Sequence, residues 1–289
     1  MITVIGDMVV DIIVSKDKTN YATDTDGNIH FRPGGQAYNV ASYIGREGVD
    51  CQFIGKVGDD PFGEYLIRES KKQGVTPIVT KVSNDKTGTI VLMIEKDSGE
   101  RSMITDRGAN LRLSEKDIQG IENSNCVYLS GYSLFAETTK KAAMFAKQQA
   151  IKYGVPIAMD PSSTYFLKQH KDEFLRFIKG ITYFFPNYDE GILLTGEKDP
   201  KKIIEILRQY VAFPILTLGE KGCLFYYNKR YHEITPPPVK VVDTTAAGDS
   251  FVGAFLATYL KTMDYVAALK YAVHVSSKTV TFYGALPKV

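Results

Sequence analysis

Cysteine is scarce in this chain. Cys51, Cys126 and Cys223 are three, odd in number and far apart. They read as buried free thiols in a reducing compartment, which excludes a disulfide framework or a zinc site. Long apolar runs are missing as well. No segment approaches the ~20 residues needed to span a bilayer, and Met1 leads straight into a strand-like stretch rather than a signal peptide. A cytoplasmic protein with no membrane partner is expected. Charge of one sign is also lacking, because 35 Lys and Arg against 33 Asp and Glu leave a formal net charge of +2. That balance gives no electrostatic reason to expect nucleic acid as a partner.

Several catalytic motifs are absent. There is no Gly-x-x-x-x-Gly-Lys-Ser/Thr loop, no Gly-x-Gly-x-x-Gly after the first strand, no His-Glu-x-x-His and no Cys-x-x-Cys. These absences argue against a P-loop enzyme, a common dinucleotide site and a zinc protease. The only histidines are His30, His170, His232 and His274, which lends little support to a histidine-centred mechanism.

What is present is an alternation of short apolar runs with amphipathic helical stretches along 289 residues, enough for a sizeable core. Strands are predicted at Ile2–Ile5, Cys51–Ile54, Cys126–Leu129, Pro156–Met159, Thr182–Phe185, Ile215–Leu218 and Leu224–Tyr227. Helices such as Tyr38–Gly45, Gly63–Gln73, Thr138–Lys152 and Pro200–Tyr210 fall between them. Near-continuously apolar strands separated by helices mean a parallel sheet covered on both faces, a doubly wound α/β core. Two segments break the rhythm. Asp11–Phe31 is polar with alternating patches, and Thr87–Thr105 alternates around the turn Lys96-Asp97-Ser98-Gly99. Both suit an antiparallel flap over the ends of the sheet, where such folds bind ligands. Pro236-Pro237-Pro238 reads as a stiff connector.

That connector precedes the most informative run, Asp243-Thr244-Thr245-Ala246-Ala247-Gly248-Asp249-Ser250-Phe251. Small residues let a phosphate approach the backbone, and a helix start adds unpaired N–H groups and the positive end of a dipole. An acid in that first turn could take a proton from an attacking hydroxyl. The same residues would also suit an ordinary helix start. Other segments are equally two-sided. Gly34-Gly35 allows a tight bend before Asn39, which offers a donor and an acceptor to hydroxyl groups. Asp11 could grip vicinal hydroxyls as an ionised acceptor or be a solvated loop acid. Asn187 and Glu190 fit a capping box and also a phosphate and a magnesium-bound water. Thr217-Leu218-Gly219-Glu220-Lys221-Gly222 suits a nucleotide lying against backbone and equally a hairpin turn.

Taken in order, these segments resemble the ribokinase-like, or PfkB, carbohydrate kinases. The resemblance rests on Gly34-Gly35-x-x-x-Asn39, Lys56-Val57-Gly58-Asp59-Asp60-Pro61-Phe62-Gly63, Asn187-x-x-Glu190, Thr217-x-Gly219-x-x-Gly222 and Asp243 to Asp249, and covers essentially the whole chain. It implies one domain over residues 1–289 with a mainly parallel sheet, helices on both faces, and a small β-sheet lid from about 12–33 and 87–105. It implies transfer of the ATP γ-phosphate to a hydroxymethyl group with Mg²⁺. Asp249 would be the base, and the backbone at Ala246, Ala247 and Gly248 the anion hole. Asp11, Gly34, Gly35, Asn39 and Arg107 would bind the sugar. Asn187, Thr217, Gly219, Lys221, Gly222 and Gly248 would bind the nucleotide, with Glu190 holding Mg²⁺ through water. Family members often hold K⁺, here implied at Asp243 and Thr245 with backbone from Thr279, Phe282 and Gly284.

Gln36-Ala37-Tyr38 departs from the ribokinase pattern Gly-Gly-Lys-Gly-Ala-Asn and argues against ribose. Arg107 would suit a sugar acid, so fructose or 2-keto-3-deoxygluconate types lead. A nucleoside kinase would need an aromatic clamp, for which Tyr38 and Tyr165 are the hints. A non-catalytic sugar- or nucleotide-binding protein is the reading of a different class. The exposed strand edges of a lid would suit a homodimer.

Overall fold

Two kinds of patterning in the chain become two separate sheets. The computed structural model describes residues 1–16, 20, 22–95 and 101–287. In chain order the first half contains β1 (Ile2–Ile5), β2 (Val9–Lys16), β3 (Gly27–Gly34), α1 (Gln36–Arg46), β4 (Cys51–Gly58), α2 (Pro61–Lys72), β5 (Val75–Val82), β6 (Thr89–Glu95), β7 (Arg101–Asp106) and β8 (Cys126–Ser130). The second half contains α3 (Glu137–Tyr153), β9 (Ile157–Asp160), α4 (Thr164–Ile178), β10 (Tyr183–Phe184), α5 (Tyr188–Thr195), α6 (Pro200–Leu207), β11 (Phe213–Thr217), β12 (Cys223–Tyr227), β13 (Arg230–Ile234), α7 (Ala247–Thr262) and α8 (Tyr265–Thr279).

The apolar runs form a nine-stranded sheet in the order β13-β12-β11-β10-β9-β8-β1-β4-β5. Every pair from β11 to β5 is parallel. Successive side chains enter opposite cores, as the two-residue period of a strand requires. Val4 and Tyr128 pack with α1, α2, α7 and α8. Ile5 and Leu129 pack with α3 to α6 on the other face. The three cysteines are buried and free.

Leu224–Tyr227, expected among the parallel strands, is antiparallel in β12. The chain turns back at once through Gly219–Lys221, closed by the Leu218 amide bonding to Gly222 oxygen at 2.7 Å. A connection that short cannot make the crossover a parallel pair needs.

Helix boundaries follow local chemistry. Asp60 accepts from the Gly63 amide at 2.8 Å and Pro61 opens α2, while Asp199 and Pro200 start α6 the same way. α3 and α5 end at Gly154 and Gly196, both with left-handed backbone.

The second sheet has four strands in the order β3-β2-β6-β7. Its hairpin β2/β3 and its pair β6/β7 are antiparallel, but β2 and β6 run parallel. The expected flap is therefore mixed rather than antiparallel. Between its two halves the chain passes through α1, β4, α2 and β5 of the core and returns from the same end, which sets β6 parallel to β2. The turn Lys96-Asp97-Ser98-Gly99 lies outside the described residues. Among the described residues no helix is long and apolar enough to cross a membrane.

Candidate active site

The carboxyl ends of β1, β8, β9, β10 and β11 open on one side of the large sheet, where parallel α/β sheets form their crevice. Beside them α7 begins. Ala246 has left-handed backbone (φ 58°), which turns the chain so that the helix starts at Ala247 and Asp249 falls in its first turn. The first amides of a helix have no partner within it. Gly248 is exposed at this end, and a side-chain carbon built there would have only Asp160 Oδ2 nearby, at 3.8 Å. The Ala247 amide turns back to Thr244 oxygen at 3.3 Å, and the backbone at Gly248 is open to a ligand.

Asp249 accepts a 2.8 Å hydrogen bond from Asn39 Nδ2. Its carboxyl is held well above the usual carboxylate range, first by burial in the crevice and then by the negative charges of Asp160, Asp7 and Asp11, against the lowering effect of Asn39. In its ionised form such a carboxylate is a stronger proton acceptor than an exposed one. Asn39 thereby gives one of its two amide hydrogens to Asp249. Its Oδ1 is buried without a hydrogen-bond partner.

Around Asn39 the residues expected at a sugar come together. Gly34 ends β3 opposite β2, and a side chain there would collide with Asp11 Oδ2 at 2.2 Å. Gly35 has φ 101°, and its missing side chain would lie 2.8 Å from Asp7 oxygen. Both glycines therefore let the chain close on these two acids. Burial, with the Asp7 charge second, raises the Asp11 carboxyl to about 7. Arg107 lies 3.8 Å from Asp7 Oδ2 and over the Tyr132 ring at 4.0 Å. Only 21% of its side chain is exposed.

On the other side of Asp249 is a cleft of about 960 Å³. Asn187, Glu190, Thr217, Gly219, Lys221 and Gly222 line one wall, and Ala247 and Gly248 the facing one. Pro236 to Pro238, read as a connector, also border it. Asn187 and Glu190 form the expected capping box, with the Glu190 amide on Asn187 Oδ1 and the Asn187 amide on Glu190 Oε2, both at 2.9 Å. Glu190 is only 3% exposed, and burial together with the Asp160 charge holds its carboxyl above the usual range.

The loop before α7 folds against the end of α8. Asp243 Oδ1 accepts from the Thr245 amide at 3.0 Å and hydroxyl at 2.7 Å, and Oδ2 accepts from the Gly284 amide at 2.9 Å. Thr279 is turned elsewhere with its hydroxyl, which pairs with Tyr43 at 2.9 Å. Phe282 follows α8 and is partly exposed.

Sequence reasoning missed Asp7, Gln36, Ser130, Asp160 and Ser162. Asp7 accepts from the amides of Gln36 and Ala37 and from Ser130 Oγ, each at 3.3 Å. Asp160 accepts from Gln36 Nε2 and the Ser162 amide at 2.8 Å. The signal available was position: each acid stands at or just after the carboxyl end of a parallel strand.

A family model described as pfkB family carbohydrate kinase matches residues 1–288. The chain belongs to the pfkB family. Like the other members it is an ATP-dependent carbohydrate kinase. A probable fructokinase-5 of Arabidopsis thaliana is 33% identical over 268 residues, covering 89% of this chain and 82% of the relative. A ribokinase of Bacillus subtilis is 30% identical over 291 residues, covering 98% and 94%. The crystal structure of a putative ribokinase II from E. coli in complex with ATP and Mg²⁺ superposes with TM-score 0.88 at 26% identity, covering 98% of this chain and 94% of that one. The pfkB fold is thus a large, mostly parallel sheet with helices on both faces and a small separate sheet, as read from the sequence.

Proposed function

We propose that this kinase transfers the γ-phosphate of ATP to a hydroxymethyl group of a small sugar or sugar acid, of the fructose or 2-keto-3-deoxygluconate type. The observation that carries the reading is Asp249. It is a carboxyl of raised proton affinity in the first turn of α7, with Asp11, Asn39 and Arg107 on one side and the 960 Å³ cleft on the other. Asp249 takes the hydroxyl proton as the sugar oxygen attacks the γ-phosphorus, and the bond to the leaving ADP oxygen breaks. The amides of Ala247 and Gly248 receive the developing negative charge. Phosphoryl transfer needs positioning and charge neutralisation more than covalent chemistry, and these groups supply both.

The Glu190 and Asp160 carboxyls suit a divalent cation, because each is destabilised by burial and Glu190 also by the Asp160 charge. Mg²⁺ bound there would neutralise phosphate charge, held by Glu190 through water, with Asn187 on phosphate. The Asp243 carboxylate, tying Thr245 and Gly284 into one loop, would supply the charge a K⁺ ion needs beside backbone from Thr279 and Phe282. Replacing K⁺ by choline should lower turnover. The small sheet carries Asp11 above the crevice and would close as a lid, excluding water that otherwise wastes ATP.

Arg107 favours a substrate with an acid group. The nucleoside reading is weaker, since Tyr38 is fully buried edge-on to Phe53 and cannot clamp a base, which leaves Tyr165 alone, 66% exposed and edge-on to Phe166. An ATP-consumption screen across sugars, sugar acids and nucleosides tests the reading. Turnover of sugars or sugar acids is expected, and turnover of nucleosides alone would overturn it.

A further inference from the structure

Gln36 meets both acids missed in the sequence, Asp7 through its backbone amide and Asp160 through its side chain. Its amide is the first of α1 and donates to Asp7 Oδ2 at 3.3 Å. Its side-chain Nε2 donates to Asp160 Oδ1 at 2.8 Å. The carboxamide orientation is fixed, because Oε1 accepts from Ser130 Oγ at 2.7 Å and Ser162 Oγ at 2.6 Å. Flipping it would set Oε1 against the Asp160 carboxylate. Ser162 is held in turn by the Tyr132 amide, which donates to its Oγ at 3.1 Å, and it keeps a left-handed backbone (φ 79°) that serine rarely adopts. Tyr132 lies under Arg107, and Arg107 meets Asp7. The ring Asp7–Gln36–Asp160–Ser162–Tyr132–Arg107 therefore closes on itself, joining the sugar side of the crevice to its phosphate side.

The consequence falls on Asp160. Gln36 and the Ser162 amide both hold Oδ1, which leaves Oδ2 aimed across the cleft at the first turn of α7 beside Gly248. From this geometry we infer that Gln36 is a positioning residue. It holds the Asp160 carboxylate in the orientation that meets a divalent cation on the ATP phosphates, and the inference rests on the kinase reading above. Gln36 faces the metal site through Asp160 and does not select the sugar.

The test is Mn²⁺ binding in the presence of a non-hydrolysable ATP analogue, read by electron paramagnetic resonance. It is made on the wild type, Gln36→Leu, Gln36→Glu, Asp160→Asn and the double variant Gln36→Leu/Asp160→Asn. Loss of a residue that orients a metal ligand typically weakens the metal by about 10–100-fold. Both Gln36 substitutions should therefore raise the Mn²⁺ dissociation constant by about tenfold or more while the sugar KM stays within about twofold. Gln36→Leu should add nothing in the Asp160→Asn background, since coupled residues are non-additive. An unchanged Mn²⁺ constant, or an undiminished Gln36 effect without Asp160, would overturn the inference. So would a raised sugar KM at constant Mn²⁺ affinity, which would make Gln36 a sugar contact. Ser162→Ala, at the rim of the network, removes one hydroxyl that orients Gln36 and should shift Mn²⁺ in the same direction if the Gln36 variants do not fold. Because the metal readout needs no turnover, a wild type that phosphorylates none of the sugars would overturn the proposed substrate, whereas only the Mn²⁺ constants decide the role of Gln36.

Discussion

Asp249 gathers the arguments made at single residues. Its neighbour Asn39 fixes one oxygen at 2.8 Å, and its proton affinity is raised by burial and three surrounding acids. Asp249→Asn keeps the shape but removes the base, so kcat should fall by about 10²–10⁴-fold with ATP affinity nearly unchanged. Near-normal turnover would sink the mechanism. Asp11 gives a pH signature. Its carboxyl titrates at about 7 in the folded chain against an ordinary 3.8, with burial the main cause. The folded state therefore keeps a proton that the unfolded state has lost between these values. The stability this contributes is complete below pH 3.8 and disappears as pH rises through about 7. Asp11→Asn should melt higher than wild type at pH 8, and the difference should vanish below pH 4. Sugar hydroxyls donate to the ionised form, so the wild-type sugar KM should drop by about tenfold from pH 6 to 8 and stay flat and high in Asp11→Asn. Residues such as Asp249 were legible because a run of small residues and a helix start announced them. Asp7 and Asp160 were not, since a lone acid after a strand looks like any loop acid until folding sets the two around Gln36.

Among the elements, α7 shows how position on one helix separates function from stability. Gly248 looks into the cleft with nothing but Asp160 Oδ2 near, whereas a side chain at Gly253 would strike Tyr43 Cβ at 2.6 Å and Val40 oxygen at 2.8 Å in α1. Gly248→Val should fold normally and lose about 10²-fold in kcat/KM for ATP, because its side chain fills the path to the helix amides. Gly253→Val should instead cost about 1–3 kcal/mol by overpacking, seen as an earlier chemical denaturation midpoint, and leave the sugar and ATP KM values of the folded fraction unchanged. A Gly248 variant as unstable as the Gly253 one would refute this division. The start of α7 and the capping box of α5 were readable because their chemistry is local. β3 was legible only as part of an alternating patch, since its first five residues are exposed and only Ile29 and Phe31 among them are apolar. α4 is bent at His170, where non-helical backbone interrupts the apolar period. β13, paired only along one edge, reads as a polar hairpin arm.

Over the whole molecule, alternation of apolar strands and helices was enough to foretell a doubly wound sheet, because burial on both faces leaves a compositional mark. The arrangement of the small sheet left none, since the parallel pairing of β2 with β6 depends on where the chain re-enters after four core elements. That sheet has two outer strands, β3 and β7, and two faces. Registers place Asp11 with Arg32, Ile90 and Thr105 on the face toward the crevice, and Ile12, Val14, Ile29, Phe31 and Ile104 on the other. Phe31 is partly covered by Phe62 at 5.7 Å between ring centres, but Ile29 and Ile104 remain 59% and 62% exposed. Apolar residues standing out from a sheet with open edges invite a partner. A second copy of this chain would offer a matching surface through a two-fold axis, since a closed isologous contact uses one patch twice. The wild type should therefore elute with twice the 32.2 kDa chain mass in light-scattering chromatography. Ile29→Glu/Ile104→Glu should elute at the single mass, because charges brought together across the axis repel. Since this face is turned away from Asp11, the monomeric variant should still bind ATP with wild-type affinity. A wild type already at the single mass, or a variant that stays paired, would place the dimer contact elsewhere or remove it.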